Sequence, residues 1–472
     1  VGIYHQGNWF DLCRGPHVQS TGQIKSFKIL HTAGAYWRGN EKNPMLQRIY
    51  ATAFKDKKEL EEYLHQREEA NKRDHRKLGR EMGLFIHHPW APGSPFFTGK
   101  GAIIYNELLT YIRDLYFKYG YQEVITPQIF DTEMFKVSGH YQHYKESMYF
   151  SHLEEREFGS KPMNCPGHCL LFASEKHSYR ELPMRIADFG RLHRYERSGA
   201  MHGITRVRSF CQDDAHIFCS LDGLQEEIRN FVELLNEVYN QLGIGQYKVL
   251  LATRPESRMG TDEVWDKSEG ALANALKALN VPFEYAPGEG AFYGPKLEFH
   301  MVDAIKRSWQ MGTIQVDYNL PEAFDLKFTG VDNKEHRPVM LHRAVLGSLE
   351  RFIGVYLEHM SGHLPLWLAP EQVAILNVTD RVNDYCESLQ KELRSQKVRA
   401  EFDYRNEKLN YKIREAQMRR VPLMFIIGDK EKETGTVSVR FANGKMQSGL
   451  DQKQVIAGIY REIKNRSLEI RF

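Results

Sequence analysis

The chain has 472 residues, of which 42% are hydrophobic and 26% are charged, and its 64 basic and 61 acidic residues leave a net charge of +3. This composition is ordinary for a globular protein, and the near balance of charge means that any nucleic-acid contact must come from a local basic patch. No apolar run approaches the roughly 18 residues of a membrane span, and six cysteines are too few for a dense disulfide framework. We therefore expect about three domains in a reducing, cytoplasmic compartment, without a membrane partner.

The first 82 residues predict a partial domain followed by a linker. Residues 1–55 mix short strand-like runs such as "SFKILHTAGAYWRG" with loops, and the chain begins without Met or a signal-peptide pattern. We expect this segment to be the remnant of a domain whose first part lies upstream. Residues 56–82 are almost entirely polar and rich in helix formers, which predicts one solvated linker helix about 40 Å long.

Two larger domains are expected after the linker. Residues 83–365 hold the aromatic-rich strands and most of the Cys and His residues, and a Pro-bearing junction, "LPLWLAPEQVAI", leads into residues 366–472. Strand-like and helix-like segments alternate in this last part, which predicts a compact α/β domain. The strands are predicted at 372–378, 398–404 and 422–428, the helices at 380–396, 406–420 and 451–465, and a hairpin turns on Asn443-Gly444.

The richest chemistry lies on a predicted hairpin, with strands over 187–196 and 207–218 and a loop between them. Successive side chains of a strand point to opposite faces, so one face of the second strand carries a cation, an aromatic ring, an amide, a carboxylate and an imidazole. Cys211 points to the other face, away from His216. These are the side chains on the rich face: Arg208, Phe210, Gln212, Asp214 and His216. Such a hairpin can hold a nucleotide, with Arg on phosphate and Phe against the base.

Two short segments look like fragments of a metal site. They are "KPMNCPGHC" at 161–169 and "CQDDAHIFC" at 211–219. Together they offer more candidate ligands than one ion needs, and a lone Cys or His is more often structural, so the residues alone leave the choice open. The candidates are Cys165, His168, Cys169, Cys211, His216 and Cys219.

Three segments in order resemble the motifs of the class II aminoacyl-tRNA synthetases. "YQEVITPQIF", centred on Pro127, resembles motif 1, "FGRLHRYE…RVRSF" resembles motif 2, and "HRAVLGSLERF" at 342–352 resembles motif 3, interpreted as a small-residue-rich helix ending in Glu-Arg. "MNCPGH", "CQDDAHIF" and "FDLCRGPHV" narrow the resemblance to the threonyl-tRNA synthetase family. The resemblance implies an α/β (α+β) protein: an antiparallel-sheet catalytic domain flanked by helices, and a C-terminal mixed α/β anticodon-binding domain.

The resemblance implies that Cys165, His216 and His342 hold one Zn²⁺ per chain. These residues lie too far apart in sequence for a small zinc finger, and three protein ligands leave a position open. An open zinc that binds the amine and hydroxyl of L-threonine would reject valine, which lacks the hydroxyl. His168 and Cys169 are then expected to be turn and packing residues. Further substrate contacts implied by the resemblance are Gln212, Asp214, Tyr293 and Met163.

The implied reaction joins the threonine carboxylate to the α-phosphate of ATP, with Mg²⁺ bridging phosphates, and then transfers the threonyl group to the 3′ end of tRNA(Thr). By motif match Arg194 bridges the carboxylate and α-phosphate, while Arg206 and Arg351 bind phosphate. Glu196 and Phe210 are expected on the adenine. His140 is expected near the tRNA end, with His143 close by as an alternative.

The resemblance also assigns residues outside the catalytic domain. Asn406, Glu431 and Arg440 match positions that contact anticodon bases, and a homodimer is implied by motif 1. Cys13 and His17 match the closing motif of an editing domain whose HxxxH partner is expected further upstream, so we expect this chain not to edit seryl-tRNA. A basic run could contact phosphate or be a solvated helix face: Lys412, Arg414, Arg419 and Arg420.

Two other functions remain open from the sequence. Another class II synthetase, prolyl or histidyl, would share motifs 1–3 without needing the Cys/His/His set. A non-catalytic RNA-binding paralogue would be expected to lack Arg194 or Arg351, and both are present.

Overall fold

The computed structural model describes residues 2–40 and 42–471 and divides them into two compact units, 1–72 and 73–472. The first unit consists of two antiparallel hairpins and a helix. The hairpins are β1 (Gly2–Gln6) with β2 (Trp9–Cys13) and β3 (Ser26–Tyr36) with β4 (Met45–Phe54), and the helix is α1 (Lys57–Arg73).

The linker differs from the single solvated helix predicted over 56–82. Asp74, with φ −51° and ψ 119°, ends α1, and its carboxylate accepts a hydrogen bond from the Arg76 backbone N–H at 2.8 Å. A second helix, α2 (His75–Glu81), starts there, as expected for an Asp N-cap. His75 and Leu78 are fully buried, so the prediction of one solvated helix is wrong for its second part.

The central part of the second unit is built on an eight-stranded sheet in the order β17-β16-β18-β19-β22-β15-β12-β7. All of its pairings are antiparallel except the two at its edges. Its strands are β7 (Gln122–Glu123), β12 (Met184–Asp188), β15 (Asp214–Cys219), β16 (Tyr247–Ala252), β17 (Glu284–Ala286), β18 (Lys296–Val302), β19 (Ser308–Asp317) and β22 (Val339–Ala344).

Short strands form smaller sheets around this one. They are β5 (Phe85–Ile86), β6 (Phe96–Phe97), β8 (Ile129–Asp131), β9 (Phe150–Leu153), β10 (Arg156–Ser160), β11 (His177–Ser178), β13 (Arg191–His193), β14 (Ser209–Cys211), β20 (Phe328–Thr329) and β21 (Glu335–His336).

Helices cover the large sheet and share with it one continuous apolar core. The core includes Leu108, Phe231, Leu272 and Phe352 from four different helices. The helices of this part are α3 (Gly99–Lys118), α4 (Thr132–Val137), α5 (His140–Tyr144), α6 (Cys165–Ala173), α7 (Leu224–Gln241), α8 (Asp262–Ala278), α9 (Asn319–Ala323) and α10 (Leu349–His359). The predicted antiparallel-sheet domain flanked by helices is confirmed.

The predicted hairpin is present, but both of its strands are interrupted. The first divides into β12 and β13, and the second into β14 and β15, with the break at Gln212 and Asp213. The side-chain alternation survives over 210–216, because Phe210, Gln212, Asp214 and His216 line one cleft. Arg208, predicted on the same face, instead donates to the Glu196 carbonyl at 2.9 Å. The opposite residues are buried on the core side: Cys211, Asp213, Ala215 and Ile217.

The motif 3 segment was expected to be a helix that ends in Glu-Arg, and this is wrong. Residues 342–344 finish β22, a turn follows, and Glu350 and Arg351 lie in the first turn of α10. Asp213 sets the turn, because its carboxylate accepts hydrogen bonds from the backbone N–H groups of Val345, Leu346 and Gly347 at 2.8–3.0 Å. Gly347 has φ +74°, a conformation that favours glycine.

The C-terminal domain has the predicted mixed α/β fold. Its five strands lie in the order β24-β23-β25-β26-β27, parallel over the first three and antiparallel over the rest. The strands are β23 (Val373–Asn377), β24 (Ala400–Asp403), β25 (Leu423–Ile427), β26 (Thr436–Phe441) and β27 (Met446–Asp451), and the helices are α11 (Asn383–Ser395), α12 (Leu409–Met418), α13 (Asp429–Thr434) and α14 (Gln452–Lys464). Each predicted element is present, the hairpin turns at Asn443-Gly444, and α13 is an element that the pattern did not indicate.

Two predictions about the whole chain can be compared with the structure. Within the described residues, no helix combines the length and the apolarity that crossing a bilayer requires. All six cysteines are free thiols.

Candidate active site

A cleft of the central domain has a volume of ≈ 670 Å³ and is lined by residues of the large sheet, among them Gln315 and His342. Its size falls in the usual range for small-molecule sites. One end is lined by Cys165, His216 and His342, and the other by Arg194 and Arg351. We call these the metal-donor end and the arginine end.

Strand pairing explains why the two histidines of the metal-donor end meet. β15 and β22 are antiparallel neighbours, and His216 lies directly opposite His342 in the register. Residues in that relation have Cβ atoms about 5 Å apart on the same face. Cys165 is added from the first position of α6, and one donor atom from each of the three residues lies within 4.8 Å of the others.

The ring nitrogens of this cluster are arranged as a chain. His216 Nε2 lies 3.0 Å from His342 Nδ1, and His342 Nε2 lies 2.8 Å from a carboxylate oxygen of Asp317. A carboxylate accepts hydrogen bonds, so the Nε2 of His342 carries the proton and its Nδ1 presents a lone pair toward His216. Burial, and then the neighbouring imidazoles of His342 and His168, lower the pKa of His216 well below its usual value, which favours its neutral form.

His168 is buried in α6, so it packs as expected although not in a turn, and it also joins this chain. Its Nδ1 lies 2.7 Å from His216 Nδ1, and both rings are buried. Among the described residues its Nε2 has no hydrogen-bond partner, although an Asp188 oxygen lies 3.9 Å away. Cys169 behaves as predicted, since it is fully buried against Met340.

The donor set fits a zinc ion. A cation that took the lone pairs of His216 Nε2 and His342 Nδ1 would leave a proton on His216 Nδ1 to donate to His168, and the orphaned Nε2 of His168 would then carry a proton facing Asp188. Carboxylates placed behind ligating histidines are the usual outer partners of zinc. Burial raises the pKa of the Cys165 thiol well above its usual value, so this sulfur needs a bound cation to act as a thiolate ligand.

The predicted threonine contacts surround the same end of the cleft. Asp214 accepts a hydrogen bond from the Asn164 side chain at 2.9 Å, and the Tyr293 hydroxyl donates to Gln315 at 2.6 Å. Burial raises the pKa of Asp214 from its usual value. Gln212 and Met163 also line the cleft, so all four predicted residues lie on its walls.

At the arginine end, the Arg194 side chain is held by a backbone carbonyl and by an aromatic ring. Its Nε donates to the Pro162 carbonyl at 3.0 Å, and its guanidinium lies 5.0 Å from the ring centre of Phe210. Phe210 is buried except for its exposure to the cleft, and a flat ring beside an arginine can stack on a base while the arginine reaches a phosphate.

The other two arginines approach the cleft from different elements. Arg206 Nε donates to Glu196 at 3.0 Å, and Arg351 donates to the carbonyl oxygens of Gln310 and Thr205 at 3.3 and 3.4 Å. Burial, and then the charge of Arg206, lower the pKa of Arg351. Two like charges facing one space favour an anionic ligand there.

The structure does not bring His140 to the cleft wall. It is 1% exposed, and its Nε2 lies 3.1 Å from the Met163 sulfur and 3.9 Å from Cys165 Sγ. Burial, and then the charge of His342, lower the pKa of His140 to about 4. His143, the alternative, is exposed and stacks on Phe292.

The predicted residues of the C-terminal domain have different surroundings. Asn406 is exposed, whereas Glu431 accepts hydrogen bonds from the Gly428 N–H and the Ser438 hydroxyl at 3.0 and 2.8 Å. Within the part of the chain that the structure describes, Arg440 Nε is buried and has no hydrogen-bond partner.

The predicted basic run is not one surface. Lys412 is buried and donates to Asn377 and to the Asp403 carbonyl, while Arg419 forms a two-bond pair with Glu371. Lys412 is therefore not on a solvated helix face, and the charge of Arg419 is already paired with a carboxylate.

Cys13 and His17 lie in the first unit, at the end of β2 and just after it. Cys13 Sγ accepts a hydrogen bond from the Gly15 N–H at 3.3 Å, and the His17 ring stacks on Tyr4 with ring centres 3.6 Å apart.

Three buried acidic residues organise the site and were missed by sequence reasoning. Asp213 holds the turn before α10, Asp317 holds His342, and Glu350 accepts hydrogen bonds from Arg191 and from the Cys211 N–H. Glu350 and Asp213 lie inside the motif segments, next to Arg351 and Asp214. Their place in these segments could have marked them as site residues. Nothing local marks Asp317.

The chain is similar to three family models. The class II tRNA synthetase core domain (G, H, P, S and T) matches residues 144–360, an anticodon binding domain matches 372–462, and the threonyl and alanyl tRNA synthetase second additional domain matches 1–50.

Similar proteins match over nearly the whole chain. The threonine–tRNA ligase of Bdellovibrio bacteriovorus is 68% identical over 99% of this chain and 72% of its own length, and that of Thermotoga maritima is 50% identical over 100% and 73%. A crystal structure titled as the RNA binding domain of threonyl-tRNA synthetase from Cryptosporidium parvum has a TM-score of 0.80 and 42% identity, and the match covers 84% of this chain and 99% of that one.

Proposed function

The chain belongs to the threonine–tRNA ligase family of class II synthetases, and from that premise we propose that it selects L-threonine with a zinc ion held by Cys165, His216 and His342. As a member of this family the protein is a ligase that joins threonine to tRNA. The observation that carries the zinc proposal is the chain of ring nitrogens running from Asp317 through His342 and His216 to the orphaned nitrogen of His168.

When bound, the zinc would supply an electrophilic position for the amine and the hydroxyl of threonine; serine has both groups, whereas valine has the amine but lacks the hydroxyl. Asp214 lies beside this position and is held by Asn164, so its free oxygen can accept a hydrogen bond from the substrate. Tyr293 closes the same wall with its ring 5.1 Å from that of His342. These two side chains fix the orientation in which the substrate carboxylate points along the cleft.

The arginine end is proposed to bind ATP as its magnesium complex. Arg194 lines the same cleft as the metal donors, so it could hold the threonine carboxylate and the α-phosphate together, which would lower the barrier by orientation. Arg206 and Arg351 face the same space and would bind the outer phosphates, while Phe210 and Glu196 would hold the adenine. The transfer step is assigned to His140 with His143 as the alternative, and the burial of His140 requires that Met163 moves to expose it.

The remaining proposals concern the domains around the catalytic one. Asn406, Glu431 and Arg440 are proposed to contact the anticodon of tRNA(Thr), which is supported by the match of the anticodon binding domain. Cys13 and His17 are proposed not to hydrolyse seryl-tRNA by themselves, because both are engaged within their own hairpin. Free thiols throughout the chain support a cytoplasmic location.

A homodimer is proposed because large apolar side chains are almost fully exposed in and around the motif 1 segment. Ile125 is 94% exposed and Phe117 is 91% exposed. Such side chains on a folded surface mark a protein interface. We expect sedimentation to show a dimer that Ile125→Asp turns into a monomer, whereas Val331→Asp, at a loop position that is also exposed, leaves the dimer intact. A wild-type monomer at micromolar concentration would contradict this proposal.

The test of the function is pyrophosphate exchange with threonine, serine and valine, on protein whose zinc content has been measured. We expect exchange with threonine, weaker exchange with serine and none above background with valine, all lost when a chelator removes the metal. Full activity without metal, or equal activity with valine, would contradict the zinc proposal. The assignment to the class II ligases would still stand. Absence of exchange with every amino acid would instead favour an RNA-binding paralogue.

A further inference from the structure

A buried histidine outside the cleft contacts the loop that carries Arg206. His75, the first residue of α2, is fully buried, and its Nε2 lies 3.2 Å from the backbone nitrogen of Ile204. Its Nδ1 lies 2.7 Å from a carboxylate oxygen of Glu358 on α10. One imidazole therefore bridges the loop over 202–206 and the helix that carries Arg351.

The partners fix which ring nitrogen of His75 carries the proton. A backbone N–H can only donate, so Nε2 accepts from Ile204, and the proton sits on Nδ1 and is donated to Glu358. Glu358 also accepts a hydrogen bond from the His75 backbone N–H at 3.1 Å, and its other oxygen accepts from Arg307 at 2.6 Å. The bridge is thus fully satisfied, and its carboxylate is held from two sides.

Asp74, His75 and Glu358 each offer one possible metal-ligand atom, and these three atoms lie close enough together to resemble a metal site. Both His75 nitrogens are occupied as described, and the Asp74 carboxylate accepts hydrogen bonds from the backbone N–H, Nε and Nη2 of Arg76. The cluster is therefore explained without an ion.

The loop is shaped to sit on this histidine. Gly203 has φ +51°, and a Cβ atom at this position would lie 2.0 Å from His75 Nε2. The His202 ring packs edge-on against His75 with centres 5.4 Å apart, and His202 N–H donates to the Arg206 carbonyl at 3.2 Å, which closes the loop. A side chain on residue 203 and the contact with His75 exclude each other.

The anchored residue is next to the groups that face the cleft. Thr205 follows Ile204, and its carbonyl accepts the hydrogen bond from Arg351, while Arg206 follows Thr205. We propose that His75 is a positioning residue for the arginine end: it holds Ile204 so that the Thr205 carbonyl and Arg206 keep the place in which, on the proposed function, they help to bind ATP.

Two substitutions separate the halves of the bridge. In His75→Asn the side-chain amide can reach the position of Nδ1 and keep the hydrogen bond to Glu358, but the Ile204 N–H is left without an acceptor. The amide oxygen of His75→Gln reaches the position of Nε2 and keeps the loop contact. We would measure KM for ATP and for threonine in pyrophosphate exchange, hydrogen exchange of peptides covering 198–208, and thermal unfolding of both variants.

With His75→Asn we expect faster hydrogen exchange in the loop and a rise of about tenfold in KM for ATP, the effect of one lost hydrogen bond. KM for threonine should stay unchanged, and His75→Gln should restore both properties to within about threefold of wild type. A purely structural role would instead alter both variants alike. Equal effects of the two variants, or unchanged loop protection in His75→Asn, would overturn the inference.

One further outcome distinguishes this inference from the proposed function. If the loop loosens in His75→Asn while KM for ATP stays unchanged, the anchor exists but the loop does not serve ATP, and the positioning role fails together with the role proposed for Arg206.

Gly203→Ala provides a second test that removes no polar group, should His75→Asn not fold. Its Cβ would push the loop off His75, so we expect the same rise in KM for ATP. Gly199→Ala in the same loop is the matched control, because a Cβ there meets no atom within 4 Å among the described residues. Equal behaviour of the two alanine variants would overturn the inference.

Discussion

The two ends of the cleft are built in different ways. At the metal-donor end, short side chains project from two paired strands and a helix, and each is fixed by a buried partner such as Asp317 behind His342. At the arginine end, long side chains reach the cleft from a loop and a helix. Arg351 donates to the carbonyl oxygen of Gln310, and Arg206 donates to the carboxylate of Glu196. The first end is held in place by the chain's own contacts, whereas on the proposed function the second would be completed by the phosphates of ATP.

This difference matches the two tasks of the reaction. Telling threonine from valine requires a polar position that is rigid and dry, because a flexible site would adapt to the analogue. Holding a triphosphate requires several cations that can follow charge as it moves, for which arginines on separate elements are suited. Substitutions at the metal-donor end should therefore change zinc binding and amino-acid preference, whereas substitutions at the arginine end should change kcat/KM for ATP.

The largest effect is expected from Cys165→Ala. Loss of the sulfur should abolish stoichiometric zinc binding and, with it, pyrophosphate exchange with threonine, while exchange with valine stays at background. Metal analysis and pyrophosphate exchange with both amino acids measure this. Cys169→Ala, on the same helix and buried against Met340, is the control and should keep its zinc. Retention of zinc by Cys165→Ala would contradict the assignment.

Arg351→Ala tests the other end. Removing a charge-assisted contact to phosphate should lower kcat/KM for ATP by about 100-fold, with zinc content and the ranking of amino acids unchanged. Arg229→Ala, an exposed arginine on α7, serves as the control. If the threonine-over-valine preference changed in Arg351→Ala, the two ends would not be separable.

Asp317→Asn tests the preorganisation itself. Asn keeps the oxygen that accepts from the N–H groups of Asn319 and Leu320 at the start of α9, so the local fold is retained. The carboxylate behind His342 is lost, and zinc affinity should fall between about 10- and 100-fold, as measured by competition with a chromogenic chelator. An unchanged affinity would show that the carboxylate does not orient the ligand.

The smallest effect is expected outside the cleft, with Arg440→Ala. One lost contact to a base should raise KM for tRNA in aminoacylation by about tenfold while pyrophosphate exchange stays at the wild-type rate. Arg394→Ala, whose exposed side chain pairs with Glu401, is the control. A fall in pyrophosphate exchange with Arg440→Ala would mean that the substitution disturbs the fold instead.

Local pattern was sufficient for part of this molecule. The alternation of side chains over 207–218 correctly separated Cys211 from His216, although the strand is broken at Asp213. The periodic segments of the C-terminal domain gave its strands and helices, because each buries one face and the burial imposes the period. Motif 3 was misjudged, since small residues are compatible with a helix and also with the strand and turn that are present.

What the sequence by itself determined is the set of chemical groups and the family pattern that joins them: the Cys165, His216 and His342 donors and the arginines of the motifs. The tertiary structure alone decided how these groups are supported. Strand register put His216 opposite His342, distant chain segments brought Asp317 and His168 behind them, and α2 brought His75 under the loop over 202–206. Such contacts join residues far apart along the chain, and they form only when the buried sheet fixes which strands are neighbours.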